Sequence, residues 1–153
     1  MTSCLANAVL IPDINILIYA YDSDSRHHAA ARTWWEMTLN SDRPVALPWA
    51  TILGFIRIMT HPRIQQRPMR VSDCLRRVQA WLDQPHVELL SPGEHHVAIL
   101  FGFLANLGTA GNLTTDAHLA AIAVEYQAEL ASTDADFARF PGLRWFNPLG
   151  RTR

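Results

Sequence analysis

The chain contains no lysine. Its thirteen basic residues are all arginine, and against fourteen acidic residues they leave a formal net charge of −1 over 153 residues. A charge so close to zero gives no sign of a bulk electrostatic preference for nucleic acid. Arginine without lysine is typical of a GC-rich coding sequence, and it also suits bidentate recognition of phosphate. Only two cysteines are present, and the spacing of Cys4 and Cys74 predicts neither a disulfide framework nor a zinc site.

Long apolar runs are also missing. Apolar residues make up 49% of the chain, yet no run approaches the roughly 18 residues that a membrane span requires. The first ten residues lack the basic start and the long apolar stretch of a signal peptide. We therefore expect a cytoplasmic protein that is not bound to a membrane. The absence of linkers, repeats and low-complexity segments predicts one domain, residues 1–153.

Short apolar runs alternate with segments of helical periodicity. The predicted strands are 8–11, 45–48, 87–90, 130–132 and 143–146. The predicted helices are 14–21, 27–39, 49–60, 72–82, 91–107 and 115–126. The fifth helix is predicted from the capping box of Ser91 and Glu94, with Pro92 at its first position. Strands separated by helices predict an α/β fold, a three-layer α/β/α sandwich around a mainly parallel sheet.

Aspartates lie beyond two of the predicted strands. Asp13 follows the first strand, Asp134 and Asp136 follow the strand within LASTDADF, and Asp116 opens the helix after GTAGN. Ligands of parallel sheets bind beyond the carboxyl ends of the strands, so these side chains are expected to converge. Their oxygen atoms suit magnesium or manganese, and such a centre can support phosphodiester hydrolysis. Each aspartate also has a local explanation, as a helix-start or turn residue.

Four segments resemble a known family in their order and spacing. IPDINILIYAY, LPWATILGFIRIMTHPRI, NLTTDAHLAAIAVEYQ and ELASTDADFARFPGLRWFNP are similar to segments of PIN-domain ribonucleases, and more narrowly to VapC toxins of VapBC type II toxin–antitoxin systems. The resemblance implies a PIN-like fold and a magnesium- or manganese-dependent endoribonuclease. It further implies a toxin that cleaves structured RNA (tRNA or rRNA) to inhibit translation and growth, a VapB-type antitoxin and a homodimer.

The family motifs can be carried over residue by residue. The resemblance assigns Asp13, Asp116 and Asp134 as catalytic acids that are also metal ligands. It assigns Asp136 as an accessory catalytic acid. Asn15, Thr133 and Arg57 are assigned as residues that support the site. The arginines expected to contact RNA are Arg57, Arg63, Arg67 and Arg70. These arginines are equally compatible with a plain solvent-exposed surface. The Trp34–Trp35 pair is expected either in the core or at a dimer interface, and the His95–His96 pair at the surface.

One position departs from the family pattern. Gly54 stands where a glutamate is common, and no acidic residue occurs between Asp42 and Asp73. Either the metal is held by the aspartates with more water, or catalysis is weakened. The second alternative is a PIN module that binds RNA or antitoxin without cutting. A haloacid-dehalogenase-type phosphatase is disfavoured, because Asn15 stands where that class needs a second aspartate as general acid.

Overall fold

A computed structural model describes residues 8–150. The elements in chain order are β1 (Leu10–Pro12), α1 (Ile14–Tyr21), α2 (His28–Leu39), β2 (Val45–Pro48), α3 (Trp49–Met59), α4 (Val71–Leu82), β3 (Val87–Leu90), α5 (His96–Leu107), α6 (Thr114–Glu125), β4 (Glu129–Ala131) and β5 (Arg144–Phe146). Short 3₁₀ segments, Gly111–Leu113 and Ala135–Arg139, precede α6 and follow β4. None of the helices in this part of the chain has the length and apolar content needed to cross a membrane.

All five strands are parallel, in the order β3-β2-β1-β4-β5. The chain adds β2 and β3 on one side of β1, and then β4 and β5 on the other. The strand order therefore reverses between β1 and β4, whose carboxyl ends lie side by side. A crevice forms at such a reversal, because the connections leave the two strands in opposite directions.

Helices cover both faces of the sheet, as predicted. Side chains alternate along each strand, so that Leu10 packs with α1 to α4 and Ile11 packs with α5 and α6. The same alternation separates Val45 from Ala46, and Leu130 from Ala131. The result is the expected three-layer α/β/α sandwich with an apolar core on each side of the sheet.

Aromatic rings dominate the core beneath α1 to α4. The ring centroid of Trp81 lies 5.6 Å from that of Trp35 and 4.9 Å from that of Phe55, and both pairs are edge-on. Trp81 also donates from Nε1 to the hydroxyl oxygen of Tyr21 at 3.0 Å. Trp35 is 1% exposed, so this tryptophan belongs to the core rather than to an interface.

The helical spacing of Ala30, Trp34 and Met37 predicts that these residues form the apolar face of α2, and this prediction is wrong. Trp34 is only partly buried and Met37 is 68% exposed, whereas Trp35 and Thr38 face the core. The buried hydroxyl of Thr38 donates to the carbonyl oxygen of Trp34 at 2.8 Å. Because this bond satisfies the hydroxyl, threonine can occupy a core position that a polarity pattern assigns to solvent.

The middle of helix α6 is fully buried. Its residues 117 and 119–123 are 0% exposed, and all but Leu119 and Ile122 are alanine. Small side chains allow a helix to approach the sheet closely. Asp116 lies in the first turn of this helix, so its position is fixed by the packing of α6.

The predicted start of α5 is wrong. The helix begins at His96 and has no side-chain cap of its own. The carboxylate of Glu125, at the end of α6, instead accepts from the backbone N–H groups of Gly93 and His95, both at 2.8 Å. This long-range acceptor replaces the local capping box, and Glu94 points to solvent beside His95. His96 was expected at the surface, but it is 7% exposed.

Candidate active site

The first acidic side chain lies at the carboxyl end of β1. The backbone N–H of Asp13 donates to the carbonyl oxygen of Ala131 on β4 at 2.8 Å, which continues the pairing of the two strands. Its Oδ1 accepts from the N–H of Ile14 at 2.7 Å, and so caps the start of α1. Asp13 is 4% exposed. The strand pairing and the cap together fix its carboxylate at the sheet edge.

A buried serine holds the other oxygen of Asp13. The hydroxyl of Ser132 donates to Asp13 Oδ2 at 2.7 Å and accepts from the backbone N–H of Asp134 at 3.0 Å. Burial raises the pKa of the Asp13 carboxyl above its usual range. The hydrogen bonds from Ser132 and Ile14 oppose this rise, and the charge of Asp134 adds to it. Ser132 therefore links the acids that follow β1 and β4.

Three further carboxylates meet beside Asp13. One oxygen from each of Asp116, Asp134 and Asp136 lies within 4.8 Å of the others. Asp134 uses Oδ1 to accept from the backbone N–H of Asp136 at 2.9 Å, and Asp136 Oδ1 lies 3.6 Å from Arg139 Nε. Asp134 is thus a turn residue that binds the backbone, as the sequence analysis allowed. It leaves the second oxygen of each carboxylate available.

A bound cation would offset the repulsion between the negative charges of this cluster. Burial raises the pKa of Asp116 to about 6, and the negative charges of the three other aspartates contribute to the rise. Oxygen ligands around magnesium lie about 3 Å apart when adjacent and about 4 Å apart when opposite. The oxygens of the cluster lie within 4.8 Å of one another, so adjacent oxygens would move closer together on binding one ion. These residues therefore fit a hard divalent cation with waters in its remaining positions.

Comparison with known proteins decides the family. A family model described as PIN domain matches residues 10–143. The chain belongs to the PIN-domain family. Ribonuclease VapC33 of Mycobacterium tuberculosis is 44% identical over 141 residues, which cover 92% of this chain and 99% of the relative. Ribonuclease VapC37 of the same species is 38% identical over 138 residues, covering 90% and 96%. These relatives identify the chain as a PIN-domain protein of the VapC type.

Solved structures show the same fold at much lower identity. VapBC-1 from nontypeable Haemophilus influenzae has a TM-score of 0.68 and 17% identity, covering 93% of this chain and 99% of that one. VapBC2 from Rickettsia felis, bound to a DNA fragment from its promoter, has a TM-score of 0.64 and 16% identity, covering 91% and 98%. The architecture expected from the resemblance is confirmed.

Three of the four acids assigned to the site from the sequence meet in the carboxylate cluster. Asp116 and Asp134 belong to the carboxylate cluster, and Asp136, predicted as an accessory acid, belongs to it as well. Asp13, predicted as a ligand, lies close enough to raise the pKa of Asp116 but has a hydrogen bond on each oxygen. Its role as a metal ligand stays a prediction.

The supporting residues lie at different distances from the cluster. Asn15 is partly buried in the first turn of α1, next to the segment that carries Asp13. Thr133 is partly buried beside the acids, but the hydroxyl bonded to Asp13 belongs to Ser132. Arg57 is exposed in the last turn of α3. Within residues 8–150 it forms no ion pair with a carboxylate.

Gly54 lies inside the domain rather than at an open ligand position. It is buried in α3, and a Cβ added there would lie 2.6 Å from Cδ1 and 3.0 Å from Cγ1 of Ile14. One turn earlier, the hydroxyl of Thr51 donates to the carbonyl oxygen of Pro12 at 3.3 Å. Sequence reasoning found Gly54 but missed Ile14, Thr51 and Ser132. The clearest signal for Ser132 was a hydroxyl placed between a buried strand and the acids.

The histidine near the cluster faces another helix. His118 lies two residues after Asp116, and its Nδ1 is 2.9 Å from Nε2 of His96 on α5. Burial and the neighbouring His96 lower the pKa of His118, which favours its neutral form. His118 therefore joins α5 to α6, and the carboxylate cluster contains aspartates alone.

Proposed function

We propose that this protein is a divalent-metal-dependent endoribonuclease and the toxin of a toxin–antitoxin pair. The observation that carries the proposal is the meeting of Asp116, Asp134 and Asp136 within 4.8 Å at the strand-order reversal, beside the buried Asp13. Relatives at 44% and 38% identity that are named ribonucleases support the reaction class. Structured RNA, tRNA or rRNA, is the proposed substrate, and inhibition of translation and growth the proposed outcome.

Each aspartate has a proposed part in hydrolysis. Asp116 and Asp134 would hold magnesium or manganese, and the bound ion would activate water and offset charge on the phosphate. Asp136, whose side chain is 49% exposed, is placed to orient water at the rim of the site. Asp13, held by Ser132 and by the start of α1, would contribute a fixed negative charge or a ligand oxygen. We expect products with 5′-phosphate and 3′-hydroxyl ends.

RNA would be held largely through its phosphates and its shape. Arg57, Arg63, Arg67 and Arg70 are all exposed. Within residues 8–150 their guanidinium groups form no ion pairs with carboxylates. They are therefore available for bidentate phosphate contacts. This surface also suits the acidic groups of a protein partner.

A VapB-type antitoxin and a second copy of this chain are the proposed protein partners. The structural neighbours described as VapBC complexes support the antitoxin. Exposed apolar pairs support self-association: Trp49 and Leu53 lie one turn apart on α3, and Val97 and Phe101 lie one turn apart on α5. Trp35 is not available for such an interface, because it is buried in the core.

The test is cleavage of total bacterial RNA by the purified protein. Reactions would contain magnesium, manganese or EDTA, with Asp116→Asn as the variant and Asp42→Asn, an exposed loop aspartate, as its matched control. We expect discrete products that require metal and Asp116 and that persist in the control. Intact RNA under every condition, with binding still detected, would instead favour the non-cutting module that Gly54 suggests.

A further inference from the structure

One face of α3 lies directly against the segment that carries Asp13. Thr51 holds the carbonyl oxygen of Pro12 at 3.3 Å, and Gly54, one turn later, faces Ile14. Carbon atoms in contact normally lie about 3.5 to 4.0 Å apart. A Cβ at position 54 would lie 2.6 Å from Ile14 Cδ1, 3.0 Å from Cγ1 and 3.3 Å from Cγ2. Any residue other than glycine at position 54 would therefore require Ile14 to shift from the position it occupies.

Ile14 is coupled to the carboxylate of Asp13. The two residues are adjacent in the chain, and the N–H of Ile14 donates to Asp13 Oδ1 at 2.7 Å. Asp13 is also fixed on its other side, where Ser132 holds Oδ2 at 2.7 Å. The atoms that a Cβ at position 54 would crowd belong to the residue whose backbone N–H holds Asp13, so any crowding that moves the Ile14 backbone would strain this short hydrogen bond.

We propose that Gly54 is a positioning residue for the acidic centre, acting through Ile14 on the carboxylate of Asp13. The inference rests on the proposed function, because it gives Gly54 a part in shaping the same metal site. Glycine is among the least favourable residues in the interior of a helix. The close contact with Ile14 supplies a reason for its presence in the middle of α3.

A purely structural role would have a different signature. If Gly54 only allowed α1 and α3 to pack, a larger residue would lower stability without changing how the folded protein binds metal. If Gly54 positions Asp13, the affinity for metal must fall in molecules that remain folded. Metal affinity, measured without RNA, therefore separates the two roles.

The test uses Gly54→Ala, Ile14→Ala and the double variant. Gly102→Ala is the matched control, because Gly102 lies in α5 and an added Cβ there would meet nothing within 4 Å. Binding of Mn²⁺ would be titrated by electron paramagnetic resonance, well below the melting temperature. Thermal unfolding of each protein, and kcat and KM for RNA cleavage, would be measured alongside.

Gly54→Ala is expected to weaken Mn²⁺ binding about tenfold, the smallest effect usual for residues that orient metal ligands. It should lower kcat more than it changes KM, and it should lower Tm. Gly102→Ala should raise Tm by about 2–4 °C through helix propensity and leave Mn²⁺ affinity unchanged. Ile14→Ala removes all three atoms that crowd position 54. The double variant should therefore bind Mn²⁺ as well as Ile14→Ala does.

The inference is overturned if Gly54→Ala binds Mn²⁺ as wild type does, or if the two substitutions reduce affinity additively. These outcomes are separate from the fate of the proposed function. A wild-type protein that binds Mn²⁺ but cuts no RNA would refute the nuclease, and the affinities would still decide the role of Gly54. A wild-type protein that binds no Mn²⁺ would overturn both.

Discussion

Replacing Asp116 with asparagine should stabilise the metal-free protein, although it removes a proposed catalytic group. The pKa of Asp116 rises from 3.8 to about 6 in the folded chain, mainly through burial and further through the other aspartates. The folded state therefore binds the proton more tightly than the unfolded state does. The contribution of Asp116 to the free energy of unfolding is therefore largest below about pH 3.8, where the group is protonated in both states. This contribution is lost as the pH rises through about 6 and the folded protein loses the proton. An uncharged asparagine avoids that loss.

The size of the effect follows from the pKa. The difference between 3.8 and about 6 corresponds to about 3 kcal/mol, at 1.36 kcal/mol for each tenfold change in proton affinity. Because Asp116 is only half-buried, solvent screening reduces this to about 1 kcal/mol. For a chain of this length, about 1 kcal/mol corresponds to a Tm increase of about 2–4 °C.

Thermal unfolding in EDTA would measure the effect at pH 4 and at pH 7.5. The Tm difference between Asp116→Asn and wild type should be small at pH 4 and reach its full size at pH 7.5, while Asp42→Asn should track wild type at both. Added Mn²⁺ should reverse the order, since it stabilises only the protein that retains the ligand. A variant no more stable than the control at pH 7.5 would refute the argument.

Asp13→Asn should abolish metal-dependent RNA cleavage while the circular dichroism spectrum stays native; full activity would exclude Asp13 as a catalytic group. Ser132→Ala should lower the free energy of unfolding by about 2 kcal/mol in urea titrations, because a buried hydrogen bond to Asp13 and a partly buried one from Asp134 are lost; unchanged stability would contradict this. Glu125→Gln should cost about 1 kcal/mol, since one amide oxygen replaces a carboxylate that accepts from two backbone N–H groups. The Mn²⁺ affinity of Glu125→Gln should equal that of wild type. A loss of affinity would mean that the hydrogen bonds of Glu125 at the start of α5 also shape the acidic site.

The fold was predictable where local signals agree with distant contacts. Alternating strands and helices predicted the parallel sheet, and α1 and β2 have the predicted bounds. The start of α5 was wrong because its N–H groups are satisfied by Glu125, about 30 residues along the chain. No local pattern contains that contact. The buried face of α2 was missed for a related reason, since Thr38 hides its hydroxyl in a bond to its own helix.

The site was predictable in composition more than in geometry. The carboxyl ends of β1 and β4 place Asp13 and Asp134 at one edge, as parallel topology requires. Which of two adjacent hydroxyls faces Asp13 depends on where β4 ends and how the chain then turns. Ser132 is fully buried and makes the contact, whereas Thr133 is only partly buried. The sequence shows both hydroxyls but not the direction of either.

The resemblance assigned Arg57 to the site as a supporting residue, and a plain solvent-exposed arginine was an equally good explanation of the sequence. Trp49, Leu53 and Arg57 are separated by four residues each, and all three are exposed. They form one solvent-facing stripe along α3, whereas Thr51 and Gly54 on the same helix meet the segment after β1. The contact of Arg57 with RNA stays a prediction.

Gly54 and Ile14 explain together why an acid is missing from α3. A glutamate at position 54 would need volume that the Ile14 side chain fills, and Ile14 is also the residue whose backbone N–H holds Asp13. A further carboxylate would also add negative charge to a cluster that already raises the pKa of Asp116 to about 6. Both packing and electrostatics thus oppose a glutamate at position 54. With glycine at position 54, Ile14 keeps its place beside Asp13, and water can complete the coordination of a metal bound by the aspartates.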